Sequence, residues 1–483
     1  MAGVNKQSLR EEFATLKGRF AQLSTDGKIT AESRALIEAL LMLLQVLMAV
    51  FMERHTPKTS TNSSRPSSQT AKDETAISRP GTHTKGKVHD AARSANTRTV
   101  ETVQVSTVSS CEDCGEDLRK VPSQGCERRT RIDIVFEKVL THVDAEIKSC
   151  PQCGAEVRGA FPEAFSGPVQ YGAGIKAYVL NLLLAQMLSL KRVQQSIHTL
   201  IGLVISETTI LKYVLRLHRA LEPWEGWAIQ QLLIQPAMHV DETSLRVDKR
   251  NHWIHVYSAG DITLKFVHDK RGQEAMAAIG VIPRYGGVII HDCWGSYLAY
   301  EHCGHGLCGA HLLRELTIVM EANGYAWAKN MKRLLQQTCQ KVAQRKRKTL
   351  SPREYKNLQK RYRTILTRGK RELPPIPARQ NGKPGRVAKS DAHNLWERFK
   401  EYESAVLLFA RDPHVAFTNN RAERDLRMSK VKQKVSGCFR KPQYAVAYCR
   451  ISSYLQTMAN RGYNPLVAIQ IALSGQLYPE PRE

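Results

Sequence analysis

The chain has 483 residues, 42% of them hydrophobic, and a formal charge of +26 from 71 Lys and Arg against 45 Asp and Glu. This length excludes a single small core and suggests about three folded units. The basic surplus favours a polyanionic partner, because each neutralised phosphate releases counterions, although a ribosomal protein or a membrane-surface binder would share it.

Residues 8–56 read as helix, with Leu36, Leu40, Leu43, Leu47 and Val50 at the three-and-four spacing of a coiled-coil seam. The first twenty residues show scattered charges and no export signal. The apolar run Ala39–Met52 holds 14 residues, short of the roughly 20 that span a bilayer. We therefore expect a helical oligomerisation region over 1–56, a cytoplasmic chain and no membrane partner. Residues 57–110, including TSTNSSRPSSQT, have too few apolar groups to offset ordering and read as a flexible linker, with a strand near Val103–Val108. A cysteine-bounded domain follows over 111–160, in which Ile132, Ile134 and Phe136 alternate like a half-buried strand.

Residues 171–221 are helical. Ser189–Leu200 and Ser206–Leu217 flank Gly202, with Ser206 as N-cap. This is helix-turn-helix geometry, which two packed helices without DNA contact fit equally well. Residues 236–292 switch to strands: AMHVDETSLRV, HWIHVYSA and TLKFVHD, then a helix over Gln273–Ile279, then the β-branched GGVIIHD. That order suits an RNase H-like α/β core, expected over 236–435 with a basic helical insertion at 329–411. Residues 329–390 hold 20 Lys and Arg against 2 Asp and Glu, including Arg345, Lys346, Arg347 and Lys348. Helices are expected over Ser351–Arg371, Asp391–Arg411 and Val415–Val435, and 436–483 reads as a C-terminal helical region. The fold class is multidomain α+β.

Two constellations carry chemistry. Cys111 and Cys114 form a C-x2-C pair answered by Cys150 and Cys153, each pair followed by a glycine that eases the turn. Four thiolates satisfy tetrahedral zinc and leave no open position, so a structural Zn2+ site is expected. Cys126 between the pairs is a spare or substitute ligand, and a set of ordinary buried thiols is the plainer alternative. The second constellation is Asp241 in HVDET, Asp292 in VIIHD and Glu423 in TNNRAERDLR. Carboxylates at adjacent strand ends with a third on a helix suit a two-metal site. Singly, each has an ordinary role: a turn former for the aspartates, and for Glu423 a capping box with Asn420 or a pair with Arg427.

The blocks HVDETSLRV, HW at 252–253, HDCWGSY, CGAHLLREL and FTNNRAERDLRMSKVKQKVSGCFR together resemble transposases of the insertion sequence 66 family, over about residues 100–475. The N-terminal helix and NSSRPSS resemble that family's leucine zipper and spacer. The resemblance implies a DDE triad of Asp241, Asp292 and Glu423 on Mg2+ or Mn2+, a zinc domain at the Cys pairs, and cleavage and strand transfer at element ends. It places Cys308, His311, Arg314 and Glu315 beside the second aspartate as auxiliary active-site residues. A second zinc site with Cys303 and His305 competes there with a helix face packed under the site. Arg421, Arg424, Arg427 and Lys430, with the Arg345–Lys348 run, are the expected DNA contacts. Terminal inverted repeats, target duplex, a second copy of the chain and small accessory proteins are the expected partners. The alternatives are a zinc-containing DNA-binding regulator without catalysis and a nuclease that hydrolyses without rejoining.

Overall fold

A computed structural model describes residues 6–54, 103–129, 137–165, 167–376 and 389–478. The elements in chain order are α1 (Lys6–Thr25), α2 (Ala31–Arg54), β1 (Ile147–Ser149), β2 (Glu156–Arg158), α3 (Ala173–Leu180), α4 (Leu190–Ile201), α5 (Glu207–Ala220), α6 (Glu222–Leu233), β3 (Ala237–Val247), β4 (Arg250–Ala259) and β5 (Ile262–His268). They continue with α7 (Gln273–Ile279), β6 (Val288–His291), α8 (Gly295–Leu298), β7 (Gly304–Leu307), α9 (Gly309–Asn323), α10 (Ala326–Ala343), α11 (Pro352–Glu372), α12 (Asp391–Glu401), α13 (Glu403–Leu407), α14 (Asn420–Ser436), α15 (Pro442–Asn460) and α16 (Pro465–Leu473). The chain divides into two units, one of Met1–Gly81 with Glu222–Asn460 and one of Thr82–Leu221 with Arg461–Glu483.

The first unit is built on a five-stranded sheet of order β5-β4-β3-β6-β7. β3, β4 and β5 form an antiparallel meander, and β6 and β7 add parallel to the other edge of β3. The β3–β4 turn places Asp248 and Lys249 at φ 47 and 60, the double left-handed conformation that matches strand twist in a two-residue hairpin. α14 packs on β3 and β4, and α15 on β5. β7 has no apolar alternation to betray it. Its Gly304 and Gly306 are there for closeness: a Cβ would sit 2.9 Å from a methyl of Val288 in one case and of Val415 in the other.

The basic insertion is a folded helical layer. Trp327, Tyr362 and Phe399 meet in its centre, with Trp327 edge-on to Phe399 at 6.4 Å and the Tyr362 hydroxyl donating to the Phe399 carbonyl at 2.7 Å. These residues join Ile290, Leu307, Leu312 and Leu316 in one apolar cluster. The insertion thus buttresses the strand that leads to Asp292. α11 starts as expected, on a capping box between Ser351 and Glu354. The helix expected over Asp391–Arg411 is broken at Tyr402, whose φ and ψ of −106° and 32° leave the helical region. The helix expected over Val415–Val435 begins at Asn420, because Val415 and Phe417 are spent on packing against Gly306 and Gly309.

The N-terminal region is two helices, where one was expected over 8–56. Gly27, at φ +67, turns the chain between α1 and α2. α2 is also longer than its core run: by length and composition it is apolar enough to cross a membrane. Its last turn is nevertheless committed to the first unit. Ala49 and Met52 are buried. The Glu53 carboxylate accepts the amides of Asp391 and Ala392 at 2.6 and 3.0 Å, where α12 begins, and the Asn323 side chain at 3.0 Å. That placement uses the positive end of α12. The seam residues Leu36, Leu40, Leu43 and Leu47 face solvent.

In the second unit α3, α5 and α16 pack together. α4 ends on Gly202 at φ 67, and the Ser206 hydroxyl accepts the Thr209 amide at 3.1 Å to cap α5. Val103–Ser109 is irregular, so the strand expected there is absent, and Ile132, Ile134 and Phe136 lie outside the described residues.

Candidate active site

Asp241 lies in the middle of β3, not at its end, but at a decisive place. The parallel pairing of β3 with β6 runs from Ala237↔Val288 to His239↔Ile290. Two residues further along each strand are Asp241 and Asp292, side by side where β6 stops and β3 continues against β4 alone. The Asp292 Oδ1 accepts the Trp294 amide at 3.1 Å, which fixes the carboxylate at the strand end. The Asp241 Oδ1 accepts the Glu242 amide at 2.9 Å.

Glu423 comes from the first turn of α14, where two side chains outside every expected site fix that helix. Asn419 donates from Nδ2 to the Val240 carbonyl at 2.8 Å, accepts His239 Nδ1–H at 3.0 Å, and offers its amide to Cys308 Sγ at 3.1 Å. It therefore ties the start of α14 to β3, one residue from Asp241, and to the start of α9. Asp425 is buried and accepts the hydroxyls of Ser258 and Thr263 at 2.7 and 2.9 Å, pinning the same turn to β4 and β5. The capping-box role for Glu423 is not realised: Asn419 is the N-cap, without a side-chain cap bond. Glu423 instead faces His311 at 3.6 Å and Arg314 at 3.9 Å.

Asp241 lies within the field of the other two acids. The Asp241 carboxyl is held well above the usual carboxylate range, first by burial and then by the negative charges of Glu242, Asp292 and Glu423. Glu423 Oε1 is buried and has no hydrogen-bond partner among the described residues. Carboxylates crowded together with an unpartnered oxygen are the donor set of a hard divalent cation, which would relieve both the repulsion and the lost hydration.

Beside them lies a cluster that the sequence did not suggest. Glu242 is 9% exposed; its Oε1 takes Arg271 Nε and Nη2 at 2.9 and 2.6 Å, and its Oε2 takes the Tyr297 hydroxyl at 2.5 Å. The Arg271 guanidinium stacks between Trp253 at 4.8 Å and Trp294 at 4.2 Å. Behind Asp292, His291 Nδ1 accepts the Cys293 amide at 3.1 Å, so its proton sits on Nε2 and points at His305 Nδ1, also 3.1 Å away. Burial and the neighbouring His305 lower His291 to about 3, which keeps this pair neutral.

A family model described as Transposase IS66 family matches residues 168–447, more than half of the chain. The chain belongs to this family. Membership points to a transposase role, and with it to divalent-metal use and DNA binding. Comparison with curated proteins gave no match.

Other expected site residues of this IS66-family chain divide into those at the triad and those elsewhere. Cys308 is the N-cap of α9, and His311 and Arg314 approach Glu423 from that helix. Glu315 does not: it pairs with Arg398 at 2.6 Å. Cys303 is buried, with its thiol on the Tyr285 carbonyl, and His305 serves His291, so neither joins the Cys308 group. On α14, Arg421 donates to the Ile262 carbonyl and Lys430 to the Ser244 carbonyl, both at 3.1 Å. Those two hold the protein together, whereas Arg424 and Arg427 are exposed. Arg345 is bonded to Glu354, and Lys348 caps the Ala343 carbonyl at 2.6 Å, so the Arg345–Lys348 run is partly structural. A dense exposed basic surface lies on α11. Leu358, Tyr362 and Leu366 turn inward, and Arg353, Lys356, Lys360, Arg368 and Arg371 line a shallow open groove on its other side.

Each Cys pair forms a tight turn of the same design. Gly115 and Gly154 donate back to the carbonyls of Cys111 and Cys150 at 3.0 and 2.9 Å. Backbone amides from Cys114 and Asp113, and from Cys153 and Gln152, pull the Cys111 and Cys150 thiols below the usual range. The two turns are not gathered around one point: among the described residues, the group whose ligand atoms lie close enough to hold a metal ion is Cys308, His311 and Glu423.

Proposed function

We propose that this transposase cleaves DNA at the ends of an insertion sequence and joins the freed 3′-hydroxyl to target DNA, using Asp241, Asp292 and Glu423. The observation that carries this reading is placement: Asp241 and Asp292 each stand two residues past the last β3–β6 pair, and Asn419 ties the turn of α14 that bears Glu423 to β3 beside Asp241. Three antiparallel strands continued by two parallel ones, with an acid at the first parallel junction, support an RNase H-like core. Mg2+ or Mn2+ held by these carboxylates would activate the attacking oxygen and stabilise the leaving one.

The chain's own residues do the rest. Asp241 must give up its proton for the site to load, so its raised affinity for that proton couples metal uptake to pH. Arg314 offsets charge at Glu423. Arg424 and Arg427, exposed on the same helix, are set to meet phosphates, and the α11 face offers the charge density that backbone tracking requires. Base readout falls to the α4–α5 pair and to the 111–160 segment, whose two Cys turns stand apart here and would be drawn together when Cys111, Cys114, Cys150 and Cys153 take up zinc. Two ends must be handled together, so the active species is a homo-oligomer in the cytoplasm, and the solvent-facing leucines of α2 supply a seam for it. Small accessory proteins of the element complete the assembly.

A labelled element end incubated with plasmid tests the reading. Joined product is the expected result. Binding without cleavage would favour the regulator, and hydrolysis without joining the nuclease.

A further inference from the structure

Cys308, His311 and Glu423 place a thiol, an imidazole and a carboxylate so that their ligand atoms lie within 4.8 Å of one another. The Cys308 sulfur accepts the Asn419 amide at 3.1 Å. Burial keeps its thiol above the usual range in spite of that amide and those of His311 and Ala310, so the sulfur holds its proton until a cation displaces it. His311 Nδ1 and Glu423 Oε1, 3.6 Å apart, are both buried without a hydrogen-bond partner among the described residues. Two such orphans facing one another beside a sulfur each lack something that a single cation supplies. The donor set decides which cation. Mg2+ asks for an octahedron of oxygens, whereas sulfur with imidazole selects a softer ion.

We propose that Cys308, His311 and Glu423 bind a thiophilic divalent ion of the zinc class, at a site distinct from the carboxylate triad but sharing Glu423 with it. Binding releases the Cys308 proton and leaves a fourth position for water. Resting on the reading of Glu423 as catalytic, the consequence is control: zinc draws Glu423 toward Cys308 and His311, and Asp241 and Asp292 lose their third carboxylate. The site is an inhibitory one.

Cobalt is the probe, since it reports thiolate ligation by its charge-transfer absorption. Full-length metal-free protein is titrated with Co2+ beside Cys308→Ser, His311→Gln and Asp241→Asn. Cys308→Ser and His311→Gln should each bind one equivalent fewer than wild type, and Cys308→Ser should lose the matching part of the thiolate band. Asp241→Asn, which weakens only the carboxylate site, should keep the whole thiolate band. Equal stoichiometry and band intensity in wild type, Cys308→Ser and His311→Gln would overturn the site. Tryptophan fluorescence shows which variants are folded, and if Cys308→Ser is not, His311→Gln decides. The readout needs no DNA, so the site stands or falls whether or not the chain cleaves. In a wild-type cleavage assay in Mg2+, added zinc should slow the reaction and a chelator should restore it. Zinc that binds without slowing cleavage would overturn the sharing of Glu423.

Discussion

Asn419→Ala removes the side chain that joins the catalytic elements while leaving all three acids in place. Two hydrogen bonds disappear, from Nδ2 to the Val240 carbonyl at 2.8 Å and from His239 to Oδ1 at 3.0 Å. Each is worth about 1 kcal/mol net, so roughly 2 kcal/mol of the first unit's stability is lost. The kinetic consequence is at least as large. Asn419 precedes α14, so Glu423 is released from its register with Asp241, and a displacement of about 1 Å costs on the order of 100-fold in rate. Cleavage of a labelled end, end-binding by gel shift and urea unfolding are measured together. The expected pattern is a hundredfold slower cleavage with binding within a fewfold of wild type. A lowered urea midpoint with unchanged cleavage per bound complex would refute the reasoning, since Asn419 would then serve stability alone.

Zinc should be lost from a Cys150→Ser, Cys153→Ser variant, and residues 111–153 should become protease-sensitive; metal analysis that finds the tight zinc retained would remove the Cys pairs from the zinc domain. Replacing Arg353, Lys356, Lys360 and Arg368 with Gln should weaken binding to element ends and random duplex alike, and lower the log–log salt slope by about 0.9 for every phosphate no longer neutralised. Unchanged slopes would make the α11 face a solvated surface, and selective loss on the element end would mean that it reads sequence. For pH, His255 and His291 are held at about 4 and about 3, in each case first by burial. Both lie below the unfolded value, so their neutral burial contributes fully above about pH 6.5 and is lost as pH falls, by up to about 1.4 kcal/mol per unit for each. All six tryptophans lie between residues 222 and 460, so urea melts followed by tryptophan emission report this unit alone. Asp241, raised in the same unit, works in the opposite sense, so the histidine effect is read by difference: a fall in midpoint between pH 7 and pH 5 that is no smaller in His255→Gln than in wild type would contradict the burial argument.

The meander was legible because β3, β4 and β5 are long and β-rich, and their turns carry Asp, Asn and Gly. β7 was not, because Gly304 and Gly306 are chosen for close approach to Val288 and Val415, which leaves no pattern along the chain. Asp241, Asp292 and Glu423 stood out by strand placement and by the surrounding motif. Asn419, Asp425 and Glu242 did not, since each acts through partners far away in sequence: Val240, Ser258 and Arg271. The same limit explains the basic residues. Composition counts charge, but only the fold separates Arg421 and Lys430, spent on carbonyls, from Arg424 and Arg427 on the surface.

Three conservative variants bear most directly on the central claim. Asp241→Asn, Asp292→Asn and Glu423→Gln each remove one charge from the converging group and keep its shape. Single-turnover cleavage of a labelled element end in Mg2+, with end-binding measured on the same preparations, should show cleavage abolished in all three and binding retained. Near-normal cleavage by any one of them would contradict the account, because that residue could not then be holding the metal on which the chemistry depends.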